Sequence, residues 1–325
     1  MCNDAEQKFF LINIPAHNKK IFVKEDVSLA DALRAVGIGI ETPCGGHGLC
    51  GGCLIRVLNG ELDILDADRE KIPNSMLKDG YRLACRKRKF HTSISIEVPQ
   101  RKRKIDLSAI PQNVSGRFAF SVDIGTTTIA VSLLNADTGA EAGSMSFANP
   151  QDEYGADVIS RVSAITNDPE ILQVLRKMTV ESLNDGFKRL LRASRVKAED
   201  IQFISIAGNS IMEHIILGIS PVPLSVYPFE LVERFPAVKT AAQMGFIFLN
   251  NATVKVFPMA GANLGGDAVA GIFYLDLDKK GSPRMLIDIG TNVEIVLSKQ
   301  EGLFATSSPA GPAFEGGEIT FGMRA

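Results

Sequence analysis

Four of the five cysteines in this 325-residue chain fall between positions 44 and 85, spaced Cys44-x5-Cys50-x2-Cys53 and then, after 31 residues, Cys85. Thiolates are soft ligands, and four of them suit an iron–sulfur cluster or zinc. Structural zinc sites usually pair their ligands as two CxxC units. Here three cysteines share one loop and the fourth arrives alone. Gly45, Gly46, Gly48, Gly51 and Gly52 let that loop wrap closely around an inorganic core and expose backbone N–H groups to it. His47 lies inside the loop, but four thiols are already at hand. Cys2 has no partner and reads as an incidental terminal thiol.

A second chemistry lies further on. Asp123-Ile-Gly-Thr-Thr-Thr128 reads as strand, tight turn and strand. Gly125 permits a turn that a side chain would obstruct. Thr126, Thr127 and Thr128 offer hydroxyl and N–H donors to a phosphate. Asp123 offers a carboxylate to Mg²⁺, which prefers carboxylates plus substrate phosphate. Asp288, Gly290, Thr291 and Asn292 supply the same set, and residues 121–132 align with 286–297 at a constant offset of 165 (288 minus 123). One such hairpin is a weak signal; two in duplicated halves, facing across a cleft, would grip a nucleotide triphosphate from both sides. Neither is a P-loop, since GxxxxGK[ST] is absent. The glycine loop 261–267 opens a helix, so Gly265 and Gly266 either touch phosphate or let the helix start pack tightly on a sheet. Ser308–Gly317 is too rich in Gly and Pro for regular structure; within it, Glu315 is an acid/base or Mg²⁺ candidate or part of a plain loop.

These residues need elements to position them. Residues 8–14 and 19–23 read as strands joined by a turn at 15–18. Ser28 caps a helix whose apolar face is Leu29, Ala32, Leu33 and Val36, ended by Gly37. CLIRVLNG and ELDIL read as short strands about an Asn59-Gly60 hairpin turn, and 92–98 as a last strand. Residues 99–117 carry Pro, Gly, Ser and basic residues, the composition of a linker. From Phe118 the pattern is mixed α/β. It has strands at 118–122, 129–135, 143–149, 203–208 and 255–259, a long helix over about 169–193, and a helix after the N-cap candidate Asn209. MLIDIG, TNVEIVLS and GLFATS then repeat the strand–loop–strand pattern.

The motif PCGGHGLCGGC with a late single cysteine resembles the [2Fe–2S] ferredoxins of β-grasp fold over about residues 5–98. The x5 spacing is similar to their adrenodoxin-like branch. The paired DIGT loops resemble the acetate kinase, sugar kinase, Hsp70 and actin superfamily (ASKHA, ribonuclease H-like), whose two phosphate motifs clamp ATP with Mg²⁺. The combination, with SVDIGTTTIAVSLL, IDIGTNVEIVL, AGPAFEGG and the terminal GMRA, resembles the reductive activators of corrinoid-dependent proteins. The fold implied is α+β followed by α/β: a ferredoxin domain at 1–98, a basic linker at 99–117 and an ATP-binding region at 118–325.

The activity implied by that resemblance is ATP-dependent electron transfer from a [2Fe–2S] cluster to Co(II), regenerating Co(I). Carried over by position, Cys44, Cys50, Cys53 and Cys85 hold the cluster, and the two loops at 123–128 and 288–292 hold ATP with Mg²⁺. No catalytic side chain is singled out. Partners would be a corrinoid protein or methyltransferase subunit and an upstream reductant. The alternatives are a [2Fe–2S] electron-transfer module for another metalloenzyme and a kinase-type phosphotransferase with a redox-sensing domain. Family members continue beyond GMRA, and no adenosine motif precedes Ala325, so the ATP-binding region is expected to be incomplete.

Composition narrows the rest. Forty-five per cent hydrophobic and 22% charged residues exclude disordered and fibrous classes. A net charge of −2 gives no general pull toward nucleic acid or membrane. No apolar run reaches the roughly 18 residues of a membrane span. The acidic start, without a basic n-region, predicts a cytoplasmic protein. Two basic runs, Arg86–Lys89 and Arg101–Lys104, hold 8 of the 35 basic residues. They read as solvated charge about a hinge, or as a docking site for an acidic redox partner.

Overall fold

The structure, a computed structural model, describes residues 9–24, 27–42, 44–99, 105–111, 116–232, 236–249, 251–290 and 292–309. Cys2, Arg101–Lys104, Thr291 and Glu315 therefore lie outside the described residues. The chain divides into two compact units. One comprises residues up to 102 together with 152–156; the other comprises 103–151 and 157 onward.

In the first unit, β1 (Phe9–Ile14) and β2 (Lys19–Lys24) form an antiparallel hairpin. Asn18 takes a left-handed conformation (φ 49°) to close the turn. Helix α1 (Leu29–Ala35) starts at Ser28, whose hydroxyl accepts the Asp31 N–H, and buries Leu29, Ala30 and Leu33. Strand β3 (Leu54–Asn59), helices α2 (Asp66–Lys71) and α3 (Asn74–Lys78), β4 (Tyr81–Leu83) and β5 (Ile94–Glu97) follow. Among the described residues the sheet order is β2-β1-β5-β3-β4, with β1 and β5 parallel. Ile12, Ile14, Leu33, Ile55, Leu83 and Ile96 form the middle of its core. ELDIL is not the second strand of a hairpin with β3. It bridges once, between Leu62 and Phe90, and leaves β3 to pair with β4 and β5.

The second unit is built on β6 (Ile105–Ala109), β7 (Phe118–Ile124), β8 (Thr128–Asn135) and β9 (Glu141–Ala148). Helices α4 (Val158–Asn167) and α5 (Ile171–Ser194) lead to β10 (Ile201–Gly208), then α6 (Ser210–Leu217), α7 (Val222–Ser225), β11 (Ala237–Thr240), α8 (Ala241–Met244) and β12 (Thr253–Val256). The sheet order is β11-β12-β10-β7-β8-β9-β6. Strands β7, β10 and β12 run parallel, while β7, β8 and β9 form an antiparallel meander. Helix α5 buries Leu175, Leu183, Phe187 and Leu190, and Phe187 stacks on Phe120 of β7 with ring centroids 4.2 Å apart. Helix α9 (Gly266–Tyr274) then leads to an antiparallel sheet of β13 (Arg284–Ile289), β14 (Asn292–Lys299) and β15 (Gly302–Pro309). The stretch expected to be linker, 99–117, contains β6, which pairs along β9 from Ile105–Phe147 to Ala109–Gly143. Its side chains are largely exposed, so it carries no buried alternation to announce it.

Candidate metal centre and nucleotide cavity

The loop from Cys44 to Cys53 turns on glycines with positive φ at 45, 46, 48 and 51, a backbone that side chains rarely adopt. Gly46 brings the chain against Cys85, whose Cβ would lie 3.9 Å from an added methyl. The four thiols gather in two couples: Cys44 hydrogen-bonds Cys50, and Cys53 hydrogen-bonds Cys85. Burial resists ionisation of Cys44, but the Leu49 amide, 3.4 Å from its sulfur, and the Cys50 thiol outweigh it and hold its pKa low. Burial pushes Cys50 up to about 11. The Cys85 thiol, donating to Cys53, pulls Cys53 down to about 7 and is itself pushed up. Each couple thus contains one thiol held below its ordinary value, and metal entry displaces the protons that remain. Two couples fit a two-iron cluster, with two protein ligands at each iron, better than a single tetrahedral zinc. The donor set and the glycine cradle accordingly suit [2Fe–2S], with Cys44, Cys50, Cys53 and Cys85 as the residues that would hold it.

The second unit presents a cavity of about 230 Å³. Both predicted hairpins border it: Asp123, Gly125, Thr126, Thr127 and Thr128 from β7–β8, and Asp288, Gly290 and Asn292 from β13–β14. Asn209, Asp267 and Glu294 complete the polar lining. The first loop is held from behind. Asn149 donates its side-chain amide to Gly125 O at 2.8 Å and its backbone N–H to Thr127 O at 2.7 Å. The buried guanidinium of Arg161 donates to Thr126 O at 2.6 Å and to Gln151 Oε1 at 3.1 Å. Asn209 caps α6 by accepting the Met212 N–H, and its Nδ2 donates to Thr126 Oγ1 at 3.0 Å.

The cavity is acidic. Asp123 opens to solvent there, yet the protein crowded around it, with Asp267 and Asp288, pushes its carboxyl up to about 6. Burial, then like charges, also raise Asp267 and Glu294. Behind them Glu213 is fully buried, its carboxyl oxygens lack a well-formed hydrogen bond, and burial together with Asp267 drives it up to about 9. A cation relieves such crowding. Among the described residues no three His, Cys, Asp or Glu side chains converge on a single ion, which leaves two thiols per iron in the cradle and no complete carboxylate site in the cavity. A magnesium ion here would therefore complete its shell with phosphate oxygen and water. At about 230 Å³ the space is below the roughly 300–1,000 Å³ of pockets for drug-sized ligands.

Gly265 and Gly266, the other expected phosphate contacts, do not line the cavity. A methyl on Gly265 would stand 2.4 Å from Gly208 O and 2.6 Å from Asn209 Cα. The structure therefore favours the packing role: these glycines press α9 against the β10–α6 turn and so bring Asp267 to the cavity. Sequence reasoning missed Asn149, Gln151, Arg161, Glu213 and Glu294, and took Asn209 only as a cap. Glu213-His214 is a lone polar pair within the apolar run SIMEHIIL, the one local hint.

Known proteins fit this geometry. Residues 14–88 match the 2Fe-2S iron-sulfur cluster binding domain, 118–280 the RACo middle region, and 282–325 the C-terminal domain of RACo, the ASKHA domain. The corrinoid activation enzyme RamQ of Eubacterium limosum is 25% identical over 95% of this chain and 63% of its own length. A component of the Na⁺-translocating NADH-quinone reductase of Histophilus somni is 37% identical over 27% of this chain and 19% of its own. A solved reductive activator for corrinoid, iron-sulfur protein superposes with a TM-score of 0.62 at 24% identity, covering 97% of this chain and 65% of that one. The chain thus spans just under two thirds of the length of its long relatives. The expected architecture, a [2Fe–2S] ferredoxin-type domain followed by an ASKHA-type α/β region, is the one found. With over half its length matched by the RACo middle region and both flanks by the accompanying domains, the chain belongs to the RACo family.

Proposed function

We propose that this protein activates a corrinoid protein reductively, in a reaction that depends on ATP with Mg²⁺. The observation that carries the reading is the presence, in one chain, of a four-thiol cradle suited to [2Fe–2S] and an acidic cavity bordered by two duplicated phosphate-type hairpins. When bound, the cluster supplies one electron at a time. The cobalt of the partner is the substrate and gains that electron, passing from Co(II) to Co(I).

The chain's own residues divide the remaining work. Cys44, Cys50, Cys53 and Cys85 hold the cluster. Thr126, Thr127, Thr128, Gly290 and Asn292 would contact the phosphates, Thr291 is assigned to them from the motif alone, and Asp123 and Asp288 would hold the magnesium ion. An upstream reductant reloads the cluster, and the cytoplasm is the expected compartment. Among the described residues no helix is long and apolar enough to cross a membrane.

The test is to mix the pre-reduced protein with a Co(II) corrinoid protein under anaerobic conditions, with and without MgATP. The Co(I) absorbance band is expected to grow with MgATP and to stall without it. Growth indifferent to ATP would remove the nucleotide from the reading, and no growth under either condition would sink the reaction itself.

A further inference from the structure

The basic run beside the last cysteine is not uniform. Arg86, Lys87 and Lys89 are exposed, whereas Arg88 is buried. Its Nη1 and Nη2 donate to Asp68 Oδ2 and Oδ1 at 2.8 and 2.7 Å, and both side chains are essentially inaccessible to solvent. Asp68 Oδ2 also accepts the Leu65 N–H at 2.8 Å, at the start of α2.

This pair grips a particular piece of backbone. Asp68 Oδ1 accepts the Leu83 N–H at 2.9 Å, and Arg88 Nη2 donates to Leu83 O at 2.8 Å. Both peptide groups of Leu83 are thus committed to the ion pair. The next residue, Ala84, donates to Cys53 O at 2.8 Å and accepts the Ala30 N–H at 3.0 Å. Cys85 follows at once, with its thiol on Cys53. The late cysteine has no loop of its own to fix it, since its three companions sit 32 or more positions earlier (85 minus 53). Its place is set by two residues of backbone, and those are held by Asp68 and Arg88 at Leu83 and by the Cys53 carbonyl and Ala30 N–H at Ala84.

We infer that Asp68 and Arg88 are positioning residues for the Cys85 ligand, fixing the chain that presents its sulfur beside Cys53. The inference rests on the four-cysteine reading of the cluster. Groups that orient metal ligands from behind commonly cost about 10- to 100-fold in metal affinity when changed. A buried ion pair by itself does little for stability, and its replacement by apolar groups of similar size is often neutral. The two roles therefore separate.

The experiment uses the full chain, reconstituted anaerobically with iron and sulfide. The double variant Asp68→Leu/Arg88→Met removes the pair without stranding a charge. Arg88→Lys keeps the charge but loses the planar fork that spans Asp68 and Leu83 O. Each variant is scored by its thermal melt, by the paramagnetic resonance spectrum of the reduced cluster and by iron release to a chelator. The expected result is a near-native melt with shifted g-values and iron lost about 10- to 100-fold more readily. A folded variant with native g-values and native iron retention overturns the inference. So does failure of both variants to fold, because the pair would then hold the unit and not the ligand. Cys85→Ala is the control: a native spectrum there would sink the ligand assignment itself, independently of the pair.

Discussion

Glu213 sits where a carboxylate is hardest to keep charged, sealed from solvent and facing Asp267. Its folded pKa is raised to about 9 from the ordinary 4.5. Between those values the folded chain keeps a proton that the unfolded chain has released, so this residue's contribution to stability is full below pH 4.5 and declines as pH rises toward 9. Glu213→Gln is therefore expected to melt higher than the parent at pH 8 and about the same at pH 4.5. The gain should be several degrees, since a unit this size shifts about 2–4 °C per kcal/mol. Melting curves across that pH range check it, and an equal offset at every pH would contradict it. The gathering of the four cysteines, and that of the two Asp-Ile-Gly-Thr loops about one cavity, were legible at this scale because such sites are written in residue type and spacing. The Asp68–Arg88 pair was not. Arg88 looks like any other member of Arg-Lys-Arg-Lys until folding buries one of the four.

At the scale of elements, the β7–β8 hairpin and its copy β13–β14 were legible because their strands alternate or run apolar and their turns carry glycine, signals that need only neighbours in sequence. Helix α5, foreseen over about 169–193, is found at Ile171–Ser194. The short polar helices α2 and α3, six and five residues long, offered too little periodicity to detect. Strand β6 hid in a basic stretch because a strand laid on a sheet edge with exposed side chains has no buried face to encode. Contact between α9 and the β10–α6 turn rests on Gly265, where a side chain would meet backbone and not a flexible neighbour. Gly265→Ala is expected to cost about 1–3 kcal/mol, as overpacking does, and to displace Asp267. Urea unfolding should show the loss, with weaker protection by MgATP and an unaltered cluster spectrum. Full nucleotide protection in this variant would argue against the packing role.

At the scale of the whole molecule, the two proposed chemistries lie in different units and should fail separately. Cys85→Ala is expected to abolish the paramagnetic signal of the reduced cluster while leaving nucleotide binding intact. Asp123→Asn should do the reverse, and calorimetric titration with MgATP read alongside the spectrum distinguishes them. The broad architecture was legible because each unit announces itself by a local motif. The cavity was only half legible. Its front wall is two motifs, but the residues that back it come from the segment after β9, from α4 and from the start of α6, which lie far apart in sequence.

The acidity of that cavity has a thermodynamic consequence for the fold that contains it. Asp123, Asp267, Asp288 and Glu294 are held together by the backbone against their mutual repulsion. A divalent ion bound by the folded chain and not by the unfolded one adds stability by mass action, about 2.7 kcal/mol at a hundredfold excess over its dissociation constant. The midpoint of heat denaturation should accordingly rise with free magnesium and nucleotide, and fall in a chelator that leaves the cluster intact. Asp123→Asn should melt higher than the parent in that chelator and respond less to added magnesium. The residues that equip the cavity for a cation thus make the protein's own melting a gauge of how full that cavity is.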